Sequence, residues 1–124
     1  MILHITTPNE WEKAMLEGKY SAPSLQSDGF IHCSTIKQTA DTANIFFRGQ
    51  KGLILLCIDE KKLKSVCKYE YPVGGGQHDP TVGNLFPHVY GPINLSAVIK
   101  VVDFPTDDNG FFKLPADIIT AFCR

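Results

Sequence analysis

Apolar positions along this chain change their spacing several times, and each change predicts an element. Ile2-Leu3-His4-Ile5 is a nearly continuous apolar run that predicts a first strand over residues 2–6, with His4 flanked by apolar neighbours. Thr7-Pro8-Asn9-Glu10 then carries a helix start: Thr7 as cap, Pro8 at the first helical position, and Glu10 three residues after the cap. Trp11, Ala14 and Met15 give that helix its apolar face, and Gly18 ends it. Residues 20–25 read as a loop containing Pro23. The turn Ser27-Asp28-Gly29 leads into a short strand at Phe30-Ile31.

After Thr35 the spacing becomes helical. Gln38 sits three residues after the Thr35 cap, Ile36, Ala40, Ala43 and Phe47 recur on one side, and Gly49 or Gly52 closes the helix. Leu53 to Ile58 is the most apolar run in the chain and reads as a central strand covered on both faces. A short helical turn is expected over 59–64. Cys67, Tyr69 and Tyr71 alternate against Lys68 and Glu70, which predicts a strand over 66–71. Residues 72–85, with Gly74-Gly75-Gly76, His78-Asp79-Pro80 and Gly83-Asn84, read as a long loop of the kind that is more often functional than accidental. The polar-aromatic cluster Phe86-Pro87-His88-Val89-Tyr90-Gly91-Pro92 follows, then a strand over 97–104, a turn at Asp107-Asp108-Asn109-Gly110, and a final helix over 115–122. Helices interleaved with strands and then mostly strands indicate one α+β domain over residues 1–124, with helices packed on a largely antiparallel or mixed sheet.

Composition narrows the classes. The chain has 124 residues, 44% apolar and 20% charged, with a net charge of −1, which fits an ordinary globular domain and excludes a broad basic nucleic-acid face. Its lysine cluster, Lys61, Lys62 and Lys64, lies beside Asp59 and Glu60, as a solvated turn would. No run approaches the length of a membrane span, and the first residues lack a basic and then apolar signal pattern. The four cysteines include no C-x-x-C pair, so reduced thiols and a cytoplasmic location are expected, with Cys57 a small buried hydrophobe.

Two stretches carry candidate chemistry. In Gly29-Phe30-Ile31-His32-Cys33-Ser34-Thr35 an imidazole, a thiol and two hydroxyls crowd a strand-to-helix corner. His32 offers proton transfer near neutral pH, and the other reading is a histidine bonded to a backbone carbonyl. Ser34 or Thr35 serves as the helix cap, which can still turn free amides toward an anion. In the later stretch His88 and Tyr90 are two apart and share a face of an extended segment, between Pro87 and Pro92. Glu70 faces away from Tyr69 and Tyr71, toward either solvent or the same cavity. We expect the fold to bring the two stretches together around a small-molecule or nucleotide ligand. His32, Cys33, His78, Asp79 and His88 are metal-ligand types, but without a close-spaced pair no metal is expected. Neighbours on a strand point to opposite faces, so His32 is not placed to activate Cys33. Gly74 to Gly76 lacks the Lys-Ser/Thr of a phosphate-binding loop.

The Trp11-bearing helix, Gly29-Phe30-Ile31-His32-x-Ser34-Thr35 with Gln38, Tyr69-Glu70, and Phe86-Pro87-His88-x-Tyr90-Gly91-Pro92 together resemble the family known as domain of unknown function 952, which has no established activity. More distantly, Leu3-His4, the Trp11 helix, Gly18, Gly29-Phe30-Ile31, a helix with Ala40 and Asn44, and Gly52 to Leu56 resemble the catalytic core of the ADP-ribosyltransferase superfamily. That resemblance implies a split mixed or antiparallel sheet with two helices in the N-terminal half, and NAD as a substrate. His4 matches the strand-borne histidine that grips ribose. Ile31 or His32 falls at the second position. No acidic residue stands near Phe86, so His88 or Glu70 would substitute there. The reading implied is an enzyme of ADP-ribosyl transfer or a related phosphotransfer, with a non-catalytic module for a nucleotide or metabolite as the alternative. In it His32 and His88 are catalytic and handle protons, while His4 and Ser34 hold ribose and phosphate. Tyr90 stacks, and Thr35 and Glu70 complete the ligand-binding set.

Overall fold

The computed structural model describes residues 1–72 and 85–122, so the 72–85 loop, with Gly74 to Gly76, His78 and Asp79, lies almost wholly outside the described residues, as does Cys123. In chain order the elements are β1 (Ile2–Thr6), α1 (Pro8–Glu17), β2 (Lys19–Tyr20), α2 (Pro23–Ser27), β3 (Ile31–His32), β4 (Ser34–Thr35), α3 (Ile36–Phe46), β5 (Leu53–Ile58), a 3-10 turn (Glu60–Lys62), β6 (Val66–Glu70), β7 (Phe86–Tyr90), β8 (Ile93–Asn94), a second 3-10 turn (Leu95–Ala97), β9 (Val98–Phe104) and α4 (Ala116–Phe122). They build a four-stranded sheet β4-β1-β5-β9, a three-stranded sheet β3-β7-β6 and a two-stranded ribbon β2-β8. The architecture is α+β, and among the described residues every strand pairing is antiparallel, so the mixed alternative falls away.

β5 is buried at every position because each of its faces has a core to fill. Ile54, Leu56 and Ile58 join Ile31 and Val89 of the three-stranded sheet together with Tyr20 and Ile93 of the ribbon. On the other face Leu53, Leu55 and Cys57 meet Ala43 of α3, Phe104 of β9 and Ile118 of α4. Cys57 is thus a packing residue, as its neighbours predict.

Local capping fixes the helices. Thr7 Oγ1 accepts from Glu10 N at 3.2 Å, and Gly18 ends α1 at φ 81°, in the left-handed region that costs a glycine nothing. Gln38 turns back so that its Oε1 accepts from Thr35 N at 2.9 Å, which closes the start of α3.

Three expectations need correction. Residues 20–25 are not a loop: Tyr20 pairs with Ile93, and Pro23 begins α2, its fixed φ suiting a first helical position. The N-terminal half therefore holds three helices rather than two. Met15 does not join the apolar face of α1, because only Ala14 and the partly buried Trp11 reach the core and Met15 is half exposed.

Candidate functional site

The site arises where the chain changes sheets. Ile31 and His32 pair with Val89 and His88 of β7, and Cys33 N still donates to Pro87 O at 3.1 Å. At the next residue the chain crosses to the other sheet, where Ser34 and Thr35 pair with Leu3 and Ile2 of β1. β1 is paired along its whole length by β5 but only at Ile2 and Leu3 by β4. Beyond Leu3 the two sheets part, and a cavity of about 410 Å³ opens between them. His4, Thr6, Tyr20, His32, Ser34 and His88 line it, and Thr42 and Phe46 of α3, with Phe47 just past its end, close one side.

His4, 7% exposed, has both ring nitrogens occupied. Nδ1 lies 2.6 Å from His32 O, and Nε2 lies 2.7 Å from the Tyr20 hydroxyl, which in turn lies 2.8 Å from Thr6 Oγ1. A carbonyl only accepts, so Nδ1 carries the proton. Burial pulls the ring down to about pKa 4, so at neutral pH Nε2 carries no proton, and the Tyr20 hydroxyl is held between it and Thr6 Oγ1. Burial likewise pushes the Tyr20 phenol up to about 12. His4 is a neutral brace that holds the start of the split by way of the His32 backbone.

His32 and His88 face each other across the β3–β7 pair, ring centroids 5.7 Å apart. Each has its own carboxylate. His32 Nε2 is 2.8 Å from Asp28 Oδ2, and His88 Nδ1 is 2.9 Å from Glu70 Oε1, which also accepts from the Tyr90 hydroxyl. The bonds from Tyr90 and His88 hold the Glu70 carboxyl below the usual carboxylate range, and the same contact raises the Tyr90 phenol. His32 does likewise to Asp28. A carboxylate accepts, so His88 carries hydrogen on Nδ1 and His32 on Nε2, which leaves His88 Nε2 and His32 Nδ1 as the nitrogens not bound to a carboxylate. Phe30 stacks on His88 at 4.0 Å between centroids and 19° between planes, and its edge meets His32 at 4.7 Å. His88 is 2% exposed and rigidly held, whereas the His32 side chain is 47% exposed at the rim.

The sequence-predicted residues divide accordingly. His4, His32, Ser34 and His88 share the cavity. Ser34 is buried, with Oγ 2.8 Å from Thr39 Oγ1. Thr35 does not line it, because its backbone is committed to the start of α3. Glu70 and Tyr90 lie behind His88 rather than on the wall, and the Tyr90 ring meets Lys68 Nζ at 5.1 Å from its centroid. Of the two directions open to Glu70, the side chain takes the one toward the histidine. Cys33 is a core residue whose thiol burial pushes far up, so a reactive thiolate is disfavoured. Among the described residues no three His, Cys, Asp or Glu side chains converge as a metal would require, and no helix is long and apolar enough to cross a membrane. Asp28, Phe30, Tyr20 and Thr42 escaped the sequence reading. Only Asp28 had a local signal, standing four residues before His32.

A family model described as "Protein of unknown function (DUF952)" matches residues 5–101. Among solved structures the chain is similar to the crystal structure of protein CC0527 from Caulobacter crescentus, 33% identical with a TM-score of 0.77, the match covering 91% of this chain and 93% of that one. A doubly substituted form of that protein gives 32% and 0.76 over the same shares, 91% and 93%. Its solution NMR structure gives 31% and 0.73 over 99% of this chain and 97% of that one. None of the curated proteins matches.

Proposed function

We infer, for a chain that belongs to the DUF952 family, that the cleft takes a small ligand and performs proton-transfer chemistry on it between His88 and His32. The observation that carries this is the cross-strand imidazole pair, each ring fixed by its own carboxylate, at the polar end of an otherwise largely apolar cavity. A packing role for these rings gains nothing from two ion-pairing carboxylates, whereas general acid–base catalysis needs the ring oriented and its free nitrogen presented. His88 Nε2 is the base, oriented by Glu70 through Nδ1–H. His32, at the rim, exchanges protons with solvent.

ADP-ribosyl transfer from NAD is the form of this chemistry that the sequence resemblance favours. In it the bond between the ribose C1′ and nicotinamide breaks, nicotinamide leaves neutral, the acceptor oxygen bonds to C1′, and the acceptor's proton goes to His88 Nε2. No Lys or Arg among the described residues lines the cavity. The nicotinamide-riboside end therefore fits inside it, with the phosphates toward the open side. His4, with both nitrogens engaged, supports this site through the His32 backbone and does not itself hold ribose in this conformation.

Single-turnover mixing with NAD tests the reading. Release of nicotinamide by the native protein, lost about 10²- to 10⁴-fold in His88→Gln, is expected. NAD that raises the melting temperature without being consumed would make the protein the binding module instead. NAD that neither stabilises it nor reacts removes NAD from the proposal.

A further inference from the structure

Resting on the reading of His88 Nε2 as the base, we propose that Tyr90 is its positioning residue. The Tyr90 hydroxyl keeps the Glu70 carboxylate on the imidazole, and the Tyr90 ring keeps Lys68 off that carboxylate. The register of β6 on β7 makes such a residue necessary. Phe86 stands opposite Glu70, His88 opposite Lys68, and Tyr90 opposite Val66. Side chains two apart on a strand share a face, so all six project from the same side of the sheet. Register alone therefore gives His88 a lysine as its neighbour and gives Glu70 a phenylalanine. Glu70 reaches His88 only along the diagonal, a separation of about 7 to 8 Å between strand positions.

One oxygen carries the arrangement. Glu70 Oε1 accepts from His88 Nδ1 at 2.9 Å and from the Tyr90 hydroxyl as well. The Glu70 side chain is partly exposed, so water competes for it once the phenol is gone. Lys68 is the second competitor, two residues away on the same strand and the same face. An ammonium so placed would ordinarily pair with the carboxylate. Among the described residues Lys68 makes no ion pair; its Nζ lies instead over the Tyr90 ring, 5.1 Å from the centroid. A lysine on Glu70 would draw the carboxylate off Nδ1 and let the imidazole carry its hydrogen on either nitrogen. Hydrogen fixed on Nδ1 is what leaves Nε2 open as the acceptor. Tyr90 thus acts through Glu70 rather than by touching the ligand.

Nitrogen-15 NMR of the imidazoles tests this without any ligand, because it reads which ring nitrogen carries the hydrogen. Neutral His88 in the native chain should carry it on Nδ1. Tyr90→Phe keeps the ring and removes the hydroxyl, and should move a measurable share to Nε2. Tyr90→Leu also releases Lys68 and should move more. Adding Lys68→Met to Tyr90→Leu should bring that share back to the Tyr90→Phe level. Nicotinamide release from NAD should fall in the same order, about fivefold for Tyr90→Phe. In a Glu70→Ala background Tyr90→Phe should change neither the tautomer nor the rate. A native tautomer in both Tyr90→Phe and Tyr90→Leu overturns the proposal, as does a Tyr90→Phe shift that persists without Glu70. Absence of recovery with Lys68→Met overturns the part given to the ring. If the native chain releases no nicotinamide, the reading of His88 as base in that reaction is lost, while the tautomer shifts still decide whether Tyr90 positions His88.

Discussion

His4 and His88 are both buried on the walls of one cleft, yet their surroundings are opposite. Uncharged partners surround His4, a carbonyl on one nitrogen and a phenol on the other, and burial keeps it neutral. A carboxylate stands on His88, and a tyrosine steadies that carboxylate from behind. A charge on the first ring has no compensation, whereas a charge on the second does. Burial alone therefore does not tell these two histidines apart; the partner of the protonated nitrogen does.

The largest test of that contrast is a pair of substitutions. His88→Gln should leave a folded protein that has lost about 10²- to 10⁴-fold in turnover. His4→Phe should do the reverse, keeping the His32–His88 pair while costing roughly 1 to 3 kcal/mol of stability by leaving the Tyr20 hydroxyl and the His32 carbonyl without their partner. Denaturant midpoints measured beside turnover decide it, and equal effects of the two substitutions on turnover would erase the distinction.

A second test uses acid. His4 takes up its proton near pH 4 in the fold and near 6.5 when free, so between those values the unfolded chain holds more protons. Stability is complete above pH 6.5 and should fall by about 3 kcal/mol as the pH drops to 4. His4→Asn removes this titration, and its stability should lose that much less over the same range. Glu70→Gln, third in size, keeps the shape behind His88 but removes the charge. Turnover should drop about tenfold with little change in melting temperature, because Glu70 is surface-accessible and contributes orientation more than packing. The smallest effect belongs to Thr42→Val, which should not lower the melting temperature and should add up to about 1 kcal/mol, since it deletes a buried hydroxyl with no partner among the described residues.

Local chemistry made much of the fold legible. Thr7, Pro8 and Gly18 delimit α1, the run Leu53 to Ile58 marks a strand covered on both faces, and Asp107 to Gly110 closes a turn, with Gly110 N donating to Asp107 O at 3.0 Å. Two-residue strands left no such trace: Lys19–Tyr20 and Ile93–Asn94 are too short for any periodicity. The change of sheet at Cys33 is equally silent, because Ile31 to Thr35 reads as one extended segment. For the site, the equal parity of His88 and Tyr90 predicted a shared face, and Glu70 was assigned the face away from its tyrosine neighbours. That Glu70 meets His88 depends on the register of β6 against β7, where Lys68 stands opposite His88, and no local pattern fixes a register between strands so far apart in sequence. Asp28 was legible as a turn residue but not as the partner of His32.

The two-residue strand β3 has a consequence for the timing of synthesis. His4, Asp28 and His32 leave the ribosome early, along with β1, α3 and β5. His88, Tyr90 and the strand on which β3 pairs come far later, and contacts so distant along the chain close slowly. A nascent chain that has reached β5 holds the neutral brace but neither the His88–Glu70 couple nor the ring on which Phe30 stacks. The paired-histidine arrangement of this cleft is therefore a property of the finished chain, withheld from every shorter intermediate on the way to it.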